Sequence, residues 1–462
     1  MKTTFSRRLK LSFVIFLIIN PIVAFCIVGN HDCLITHVNV VDVVNGKILK
    51  NLTIAIDSNR ISAIYDSEIV GSGSTVVIDG KGKYLIPGLW DMHAHYKWDH
   101  VELDPLLIAN GITGVREMWG DMPEFVKVPL KTQPLGMVSP NVYLSGDLID
   151  GNPPSFPFGC LVVTTPDEAI EAVKKQIDKK VDFIKVYGSL SEECFMAIAK
   201  EAQKSNIPFA GHIPEKVSIY RAIEAGMASS EHLYGFLEGC LPQDYYQNPP
   251  KSMAEFINRF PESKFDSLCS VLARSSMWMC PTLTVNRAMS YLNDSTFTKD
   301  NRIAYLPNPV IEVWNQKMSP FTKGQIDTFA NGRRERYLFE LSLIGKMNKK
   351  GVKFLAGTDF PNPFVFPGFS LHDELSLMVK GGMPAIDALR TATIYPAIFM
   401  NKKADLGSVE TGKLASLVLL NKNPIENIEN TKTIETVIVR GKVYTRSSLE
   451  SMLEQAKPPI KE

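Results

Sequence analysis

Between residues 84 and 393 the chain repeats a strand-then-helix pattern that few folds can accommodate. Short apolar stretches of strand length alternate with longer stretches of helical periodicity. Strands and helices that alternate in this way build a parallel sheet covered by helices. Eight strands are counted, which is the number in a (β/α)8 TIM barrel, an α/β fold. The predicted strands are 84–95, 113–118, 142–145, 183–187, 208–212, 229–232, 279–283 and 353–358, and the clearest helices are 166–180, 191–205 and 384–393.

One connection in this pattern is much longer than the others. It runs between the last two predicted strands and includes several aromatic residues and the pair Arg333 and Arg334. Long connections inside a compact domain are usually functional. Because this one leaves the carboxyl end of a barrel strand, where barrel enzymes place their active sites, we expect helices or a lid over the active site at about 285–345. A plain surface elaboration is the alternative.

The stretches on either side of the barrel have a different pattern. From 34 to 78 and again from 415 to 444, short apolar alternations are separated by turn residues such as Asn45 and Gly46. This pattern predicts strands without helices. We therefore predict a small β-sandwich domain composed of 30–84 and 405–448, with the barrel at 85–404. A chain of 462 residues is long enough for both.

The first 26 residues have the layout of a signal peptide. Four basic residues precede an uncharged apolar run at 11–26. The run is short for a bilayer span of roughly 20 residues, and Pro21 interrupts it. We therefore expect export to the periplasm or the medium, with no stable membrane span after processing. An uncleaved anchor and a lipid-modified Cys26 are the alternatives.

The composition is that of a globular protein and gives no indication of a nucleic-acid partner. Fifty basic and 49 acidic residues give a net charge of +1, so the basic excess of a nucleic-acid binder is absent. The cysteines beyond Cys26 lack the paired spacing of a zinc ribbon or a redox motif, and we expect individual buried thiols. The oligomeric state stays open, a homo-oligomer included.

Histidines at strand ends indicate a metal centre. His93 and His95 are two residues apart at the end of an apolar strand, so both side chains point to one face, and such a pair suits a metal ion. His212, His232 and Asp359 each close another predicted strand at its carboxyl end. Barrel enzymes build their sites at this end.

Three motifs of the chain resemble those of the amidohydrolase superfamily. They are IPGLWDMHAH at 86–95, GITGVR at 111–116 and AGTD at 356–359. The segment LGSVETGKLA at 406–415 is similar to that superfamily's return into its β-domain. The resemblance spans nearly everything after the signal and looks closest to the imidazolonepropionase-like and prolidase-like branch.

The resemblance assigns roles to the strand-end residues. It implies that His93 and His95 bind the more buried of two metals and that His212 and His232 bind the second. It also implies that Asp359 is both a metal ligand and the catalytic proton shuttle. Nitrogen and oxygen ligands suit zinc, although manganese, cobalt or iron could occupy the same site.

Lys185 closes the fourth predicted strand, where binuclear members of the superfamily carry a lysine carbamylated by carbon dioxide. A neutral amine bridges two cations poorly, whereas a carbamate offers two anionic oxygens. The resemblance therefore implies two Zn²⁺ ions bridged by N6-carboxylysine at Lys185. An ordinary lysine at a strand end is the alternative.

The chemistry expected of such a centre is hydrolysis. Metal coordination lowers the pKa of bound water from about 15.7 towards roughly 7, so that hydroxide is available at neutral pH. We expect it to attack the carbonyl of an amide or peptide-like bond in a dipeptide, an N-acyl amino acid or a similar substrate, with Asp359 moving the proton to the leaving group. Tyr187, Arg333 and Arg334 are the candidate substrate-binding residues, since an arginine can hold a carboxylate.

Other interpretations remain open at this point. A mononuclear centre could hydrolyse a cyclic amide without a carbamate, or deaminate a ring, for which His212 and Glu215 have the required spacing. The same site could act on an ester or a lactone. A metal-binding barrel without turnover would have no use for Asp359 beside an open metal position. We also consider His372 a candidate for supporting the ligands from behind.

Overall fold

The computed structural model describes residues 27–29, 31–67, 69–96, 103–119, 139–155, 159–242, 250–322 and 327–457. The predicted signal peptide, 1–26, lies outside the described residues. Within these ranges no helix has both the length and the apolar character needed to cross a bilayer.

Nineteen strands are described: β1 (Ile27–Gly29), β2 (Cys33–Asp42), β3 (Lys47–Asp57), β4 (Arg60–Tyr65), β5 (Ile69–Gly71), β6 (Val76–Asp79), β7 (Tyr84–Pro87), β8 (Leu89–Ala94), β9 (Ile112–Glu117), β10 (Asn141–Leu144), β11 (Leu148–Asp150), β12 (Cys160–Val162), β13 (Ile184–Val186), β14 (Phe209–Gly211), β15 (Ser229–Glu231), β16 (Trp278–Cys280), β17 (Leu417–Leu420), β18 (Ile434–Val439) and β19 (Lys442–Thr445). The described helices are α1 (Asp104–Ala109), α2 (Pro166–Asp178), α3 (Glu192–Lys204), α4 (Ile219–Glu224), α5 (Phe236–Gly239), α6 (Met253–Asn258), α7 (Glu262–Arg274), α8 (Leu283–Ser290), α9 (Asn308–Thr322), α10 (Asp327–Lys349), α11 (Phe369–Lys380), α12 (Ala385–Thr391), α13 (Ile394–Phe399) and α14 (Arg446–Ala456), with 3-10 helices at Asn301–Tyr305 and Ile428–Lys432.

The central strands run parallel and form two sheets. One has the order β10-β9-β8 and the other the order β12-β11-β13-β14-β15-β16. The two sheets approach each other where the amide of Asp182 donates to the carbonyl of Leu144 at 2.8 Å. Helices connect most of these strands, as parallel pairing requires. The result is a TIM-barrel-like α/β fold.

The eighth predicted strand, 353–358, is irregular. Single bridges join Phe354 to Met279 of β16 and Phe360 to Ala94 of β8. The amides of Thr358 and Asp359 both approach the carbonyl of His93, at 3.2 and 2.7 Å, and Asp359 has a left-handed φ of 69°. A regular ladder cannot continue through this turn, so the barrel is linked here by isolated bridges.

The single strand predicted at 84–95 is in fact two strands in different sheets, which corrects the prediction. β7 pairs with β17 of the small domain, whereas β8 pairs with β9 of the barrel. The change occurs at Gly88, where a Cβ atom would lie 2.1 Å from Oγ1 of Thr113. Only glycine allows the backbone to pass this close.

The strand predicted at 279–283 ends earlier than expected. β16 stops at Cys280, Thr282 adopts a left-handed φ of 44°, and Leu283 begins α8. The carboxylate of Glu374 accepts the amides of Leu283 and Thr284 at 2.9 and 2.8 Å, so the first turn of α8 is capped by a distant side chain. The apolar pattern did not reveal this cap.

Helices occupy most of the long segment predicted at 285–345. They are α8, the 3-10 helix at Asn301–Tyr305, α9 and α10. Trp314 of α9 donates from Nε1 to the carbonyl of Pro361 at 2.6 Å, which places this helix against the segment that follows Asp359. The predicted helices are therefore present, and they pack close to the site end of the barrel.

Two helices begin close to the residues where they were predicted to begin, at 166 and 191. Thr165 caps α2 in a capping box with Glu168, and Ser191 caps α3 by accepting the amide of Cys194. The six cysteines between residues 33 and 280 are free thiols, five of them buried.

Strands from both ends of the chain form one mixed sheet beside the barrel. Its order is β19-β18-β17-β7-β2-β3-β4, with β6 also paired to β2. The two chain segments meet edge to edge where Leu85 pairs with Leu419, and Ile35, Ile54 and Ile438 belong to the same apolar core. The segments from the two ends of the chain thus extend one hydrogen-bonded ladder and form an additional sheet domain.

Candidate metal centre

The carboxyl ends of the parallel strands bring the predicted ligands together. They are His93 at the end of β8, His95 just beyond it, Lys185 in β13, His212 after β14, His232 after β15 and Asp359 after the irregular segment. Five of these six side chains belong to buried residues, and His95 is partly buried.

Asp359 lies between three of the histidines. Its Oδ1 atom is 2.8 Å from Nε2 of His95 and 3.6 Å from Nε2 of His93. Its Oδ2 atom is 4.0 Å from Nδ1 of His232. The ring of His232 is also 4.6 Å from that of His93 and 4.9 Å from that of His212, measured between centroids. The four imidazoles thus form one cluster, and three of them border the carboxylate.

Burial favours the neutral form of three of these imidazoles, those of His93, His212 and His232. It lowers the pKa of His93 and of His212 well below the ordinary value, and the nearby Lys185 ammonium lowers both further. Burial also lowers the pKa of His232, to about 4. A neutral imidazole has a lone pair available for a metal ion.

The donor set fits a divalent metal. Oδ1 of Asp359 is buried and has no assigned hydrogen-bond partner among the described residues, although Nε2 of His95 is 2.8 Å away. Leaving such an atom unsatisfied is costly. A cation held by His93, His95 and Asp359 would satisfy it, and ligand atoms of these three residues lie within 4.8 Å of one another.

Lys185 lies inside the cluster, fully buried in β13. Burial lowers its pKa to about 8, although the carboxylates of Glu231 and Asp359 oppose this effect. Its Nζ atom is 5.8 Å from the ring centre of Tyr187, and within the described ranges no ion pair is formed by this ammonium. A buried lysine without a paired carboxylate is unusual.

The backbone around the cluster is held by residues that the sequence did not single out. Asp91 accepts the amide of His93 at 3.2 Å and the amide and hydroxyl of Thr358 at 3.0 and 2.6 Å, which ties β8 to the segment before Asp359. The only sequence signal for this role of Asp91 was an aspartate two positions before His93. Glu231 directly precedes His232 and contacts His93, as described below.

Aromatic rings surround the histidines on the open side. The ring of Tyr187, a predicted substrate-binding residue, stacks on His212 with centroids 3.9 Å apart. Tyr234 was not predicted, yet its ring is 4.8 Å from that of His212 and 5.2 Å from that of His232. Tyr234 is 45% exposed, so it lies at the solvent-exposed rim of the cluster.

The two candidate arginines of α10 differ in their surroundings. Arg334 lies 4.2 Å over the ring of Tyr291 and donates to the carbonyl of Ser290 at 3.4 Å, away from the histidines. The charge of Arg333 acts on Tyr234: burial raises the pKa of the Tyr234 phenol, and the Arg333 charge opposes that rise. Of the two predicted residues, Arg333 is therefore the one whose charge influences a ring beside the histidines.

Two other sequence-based candidates lie outside the cluster. His372 contacts Thr431 through Nδ1 at 3.0 Å and the carbonyl of Asn110 through Nε2 at 3.1 Å. Both ring nitrogens are occupied, so the prediction that His372 supports the ligands is wrong. Glu215, required by the deaminase interpretation, is exposed.

Comparison with known proteins finds similar proteins over most of the chain. An ochratoxinase from Aspergillus niger is 22% identical over 441 residues, which cover 81% of this chain and 78% of that protein. Among solved structures, a bottromycin amidohydrolase superposes with a TM-score of 0.72 at 22% identity, covering 92% of this chain and 90% of the other. A Xaa-Pro dipeptidase superposes with a TM-score of 0.63 at 22% identity, covering 89% and 99%.

The match to a family model is more decisive, because residues 165–444 fit the model of the amidohydrolase family and make up more than half of the chain. The chain therefore belongs to the amidohydrolase family, and it is an enzyme that acts on carbon–nitrogen bonds.

Proposed function

We propose that this protein is a metal-dependent hydrolase of a small amide, such as a dipeptide or an N-acyl amino acid. The observation that carries the proposal is the convergence of His93, His95 and His232 on the buried carboxylate of Asp359. The names of the ochratoxinase and the Xaa-Pro dipeptidase support an amide substrate.

These residues would have different roles in the reaction. The four histidines and Asp359 would hold the metal, which when bound activates water and polarises a carbonyl. Asp359 would accept a proton from the water and return it to the leaving nitrogen. Tyr187 and Tyr234 would border the substrate, since their rings flank His212.

The proposal includes two zinc ions and a carbamate on Lys185. A carbamate forms when a neutral amine adds to carbon dioxide and loses a proton, so a buried lysine whose pKa is about 8 is a suitable amine. The product is anionic and would replace an uncompensated buried cation by a ligand that two metals share.

The experiment is a substrate panel run on protein purified with zinc and bicarbonate. The panel contains dipeptides, N-acyl amino acids, cyclic amides, aminopurines, esters and lactones. We expect turnover of an open-chain amide that stops on chelation and returns with zinc. Turnover that survives complete removal of metal would contradict the proposal, and exclusive turnover of an ester, a lactone or a ring substrate would favour the other interpretations.

Two variants test the role of Asp359 in this assay. Asp359→Asn removes the proposed proton carrier and should lower kcat by about 10²–10⁴-fold, the usual range for acid–base catalysis. Asp373→Asn removes another buried carboxylate, one that binds Arg302 and Arg287 instead of the histidines, and should leave kcat near that of the wild type.

Export is a separate part of the proposal and rests on the sequence of residues 1–26 alone. Expression of the full chain followed by amino-terminal sequencing of the mature protein tests it. A processed chain outside the cytoplasm would support export, and an intact Met1 on cytoplasmic protein would contradict it.

A further inference from the structure

A fully buried carboxylate lies directly behind His93. Oε2 of Glu231 is 2.8 Å from Nδ1 of His93, and neither side chain is exposed by more than 1%. A carboxylate only accepts hydrogen bonds, so Nδ1 must carry the ring proton. The lone pair is then on Nε2, the nitrogen that faces Asp359 at 3.6 Å.

Glu231 is itself held by Arg116. Nη2 of Arg116 donates to both carboxylate oxygens of Glu231 at 2.9 Å, and Oγ of Ser229 donates to Oε1 at 2.6 Å. The same guanidinium donates from Nη1 to Ser229 at 2.8 Å and from Nε to the carbonyl of Met92 at 2.5 Å. Strands β8 and β9 of one parallel sheet and β15 of the other are thereby joined around one carboxylate.

Burial of this ion pair costs free energy. Arg116 and Glu231 have no exposed surface, and Arg116 lies between the rings of Phe183 and Phe399, at 5.6 and 5.1 Å. Removing both charges from water costs several kcal/mol per ion, and apolar residues of similar volume are often at least as stabilising. A role beyond stability would account for the pair.

The other three histidines of the cluster lack such a partner. Nδ1 of His232 contacts the hydroxyl of Thr282, which can donate or accept, at 2.6 Å. Nδ1 of His95 makes no hydrogen bond with a described residue, the Oε1 atom of Glu117 being 3.9 Å away. Within the described part of the chain, His93 alone of the four has a carboxylate within hydrogen-bond distance of its Nδ1 atom.

We propose that the buried Arg116–Glu231 pair is a positioning pair that holds His93 in the one tautomer and orientation in which Nε2 can bind a metal. The inference rests on the proposed metal centre and extends it to residues outside the ligand set. Carboxylates behind a ligating histidine typically change metal affinity by 10–100-fold, and Arg116 would keep this one aligned.

The main test compares zinc affinity, by competition with a chromophoric chelator, for the wild type and Glu231→Gln. The amide of glutamine can donate to Nδ1 and allow a proton on Nε2. We expect affinity to fall by about 10–100-fold at one site. Asp373→Asn, which breaks a remote buried carboxylate–arginine pair, should leave zinc affinity unchanged.

A second variant separates positioning from packing. Arg116→Met combined with Glu231→Leu replaces the pair by apolar side chains and should retain folding, measured by urea denaturation, while zinc affinity stays weak. Full zinc affinity in this double variant would overturn the proposal, because packing alone would then suffice. The same conclusion follows if Glu231→Gln binds zinc as tightly as the wild type.

Nitrogen NMR of the histidine rings in metal-free protein provides a readout that needs no metal. We expect a proton on Nδ1 of His93 in the wild type and a loss of this tautomer in Glu231→Gln, with His93→Gln used only to assign the signal. A wild-type His93 protonated on Nε2 would overturn the inference. A wild type that binds no zinc would instead contradict the proposed function.

Discussion

The Oγ1 atom of Thr282 lies 2.6 Å from Nδ1 of His232, and both residues have left-handed backbone conformations, with φ of 44° and 59°. Thr282 is held in place because Glu374 accepts the amides of the two residues that follow it. Branched side chains such as threonine rarely adopt this conformation, so the surrounding structure must impose it. This contact orients His232 from behind.

Replacing Thr282 by valine keeps the shape of the side chain and removes the hydroxyl. We expect Thr282→Val to bind zinc about 10-fold more weakly, because the ring of His232 loses the contact that orients it. Calorimetric titration with zinc measures this. Thr431→Val is the matched control, since Thr431 contacts the remote His372 at 3.0 Å, and an equal loss in both variants would contradict the prediction.

Lys185→Ala tests the bridged centre. If a carbamate on Lys185 is shared by two metals, elemental analysis of protein purified with zinc and bicarbonate should give about two metals per chain in the wild type and one or fewer in the variant. Lys353→Ala is the control, because Lys353 is a partly buried lysine that donates to the carbonyl of Ser275, away from the histidines. One metal in all three proteins would exclude the bridge.

The positions of the predicted ligands could be anticipated because each depends only on residues that are close together in the sequence. A strand of period two followed by histidine or aspartate puts that side chain at the carboxyl end of a parallel sheet, and this reasoning applies separately to His93, His212 and His232. The helix starts at Thr165 and Ser191 are equally local. Such features need no knowledge of distant contacts.

The residues behind the ligands could not be anticipated in the same way. Glu231 meets His93 across 138 positions of the sequence, and Glu374 caps α8 across 91. A single sequence shows no periodic pattern that would indicate either contact. The irregular turn at Asp359 and the break at Gly88 likewise depend on contacts with other strands. These contacts appear only once the chain has folded.

Arg333 and Arg334 provide a test of substrate recognition. If the substrate carries a carboxylate, Arg333→Ala should raise KM by about 10-fold or more with little change in kcat, since the charge of Arg333 acts on Tyr234 at the rim and an arginine–carboxylate bond is charge-assisted. Arg334→Ala should have little effect, because Arg334 lies on Tyr291. Steady-state kinetics with an N-acyl amino acid and its uncharged amide decide the matter: equal effects on both substrates would contradict a carboxylate contact.

Asp373 should make stability depend on acid pH. Burial alone would raise its pKa, but Arg302, Arg287 and Lys432, at 2.8, 3.2 and 3.2 Å, lower it from 3.8 to about 2. A carboxyl whose pKa is lower in the folded state stabilises the protein above its unfolded pKa, and this contribution, about 2 kcal/mol, disappears as the pH falls from 3.8 to 2. In Asp373→Asn the contribution is absent at every pH. Urea denaturation of metal-free protein at pH 5 and pH 2.5 measures the free energy of unfolding of wild type and variant. The difference between the two free energies should be smaller at pH 2.5 than at pH 5. A difference that stays constant would show that Asp373 is not the group responsible.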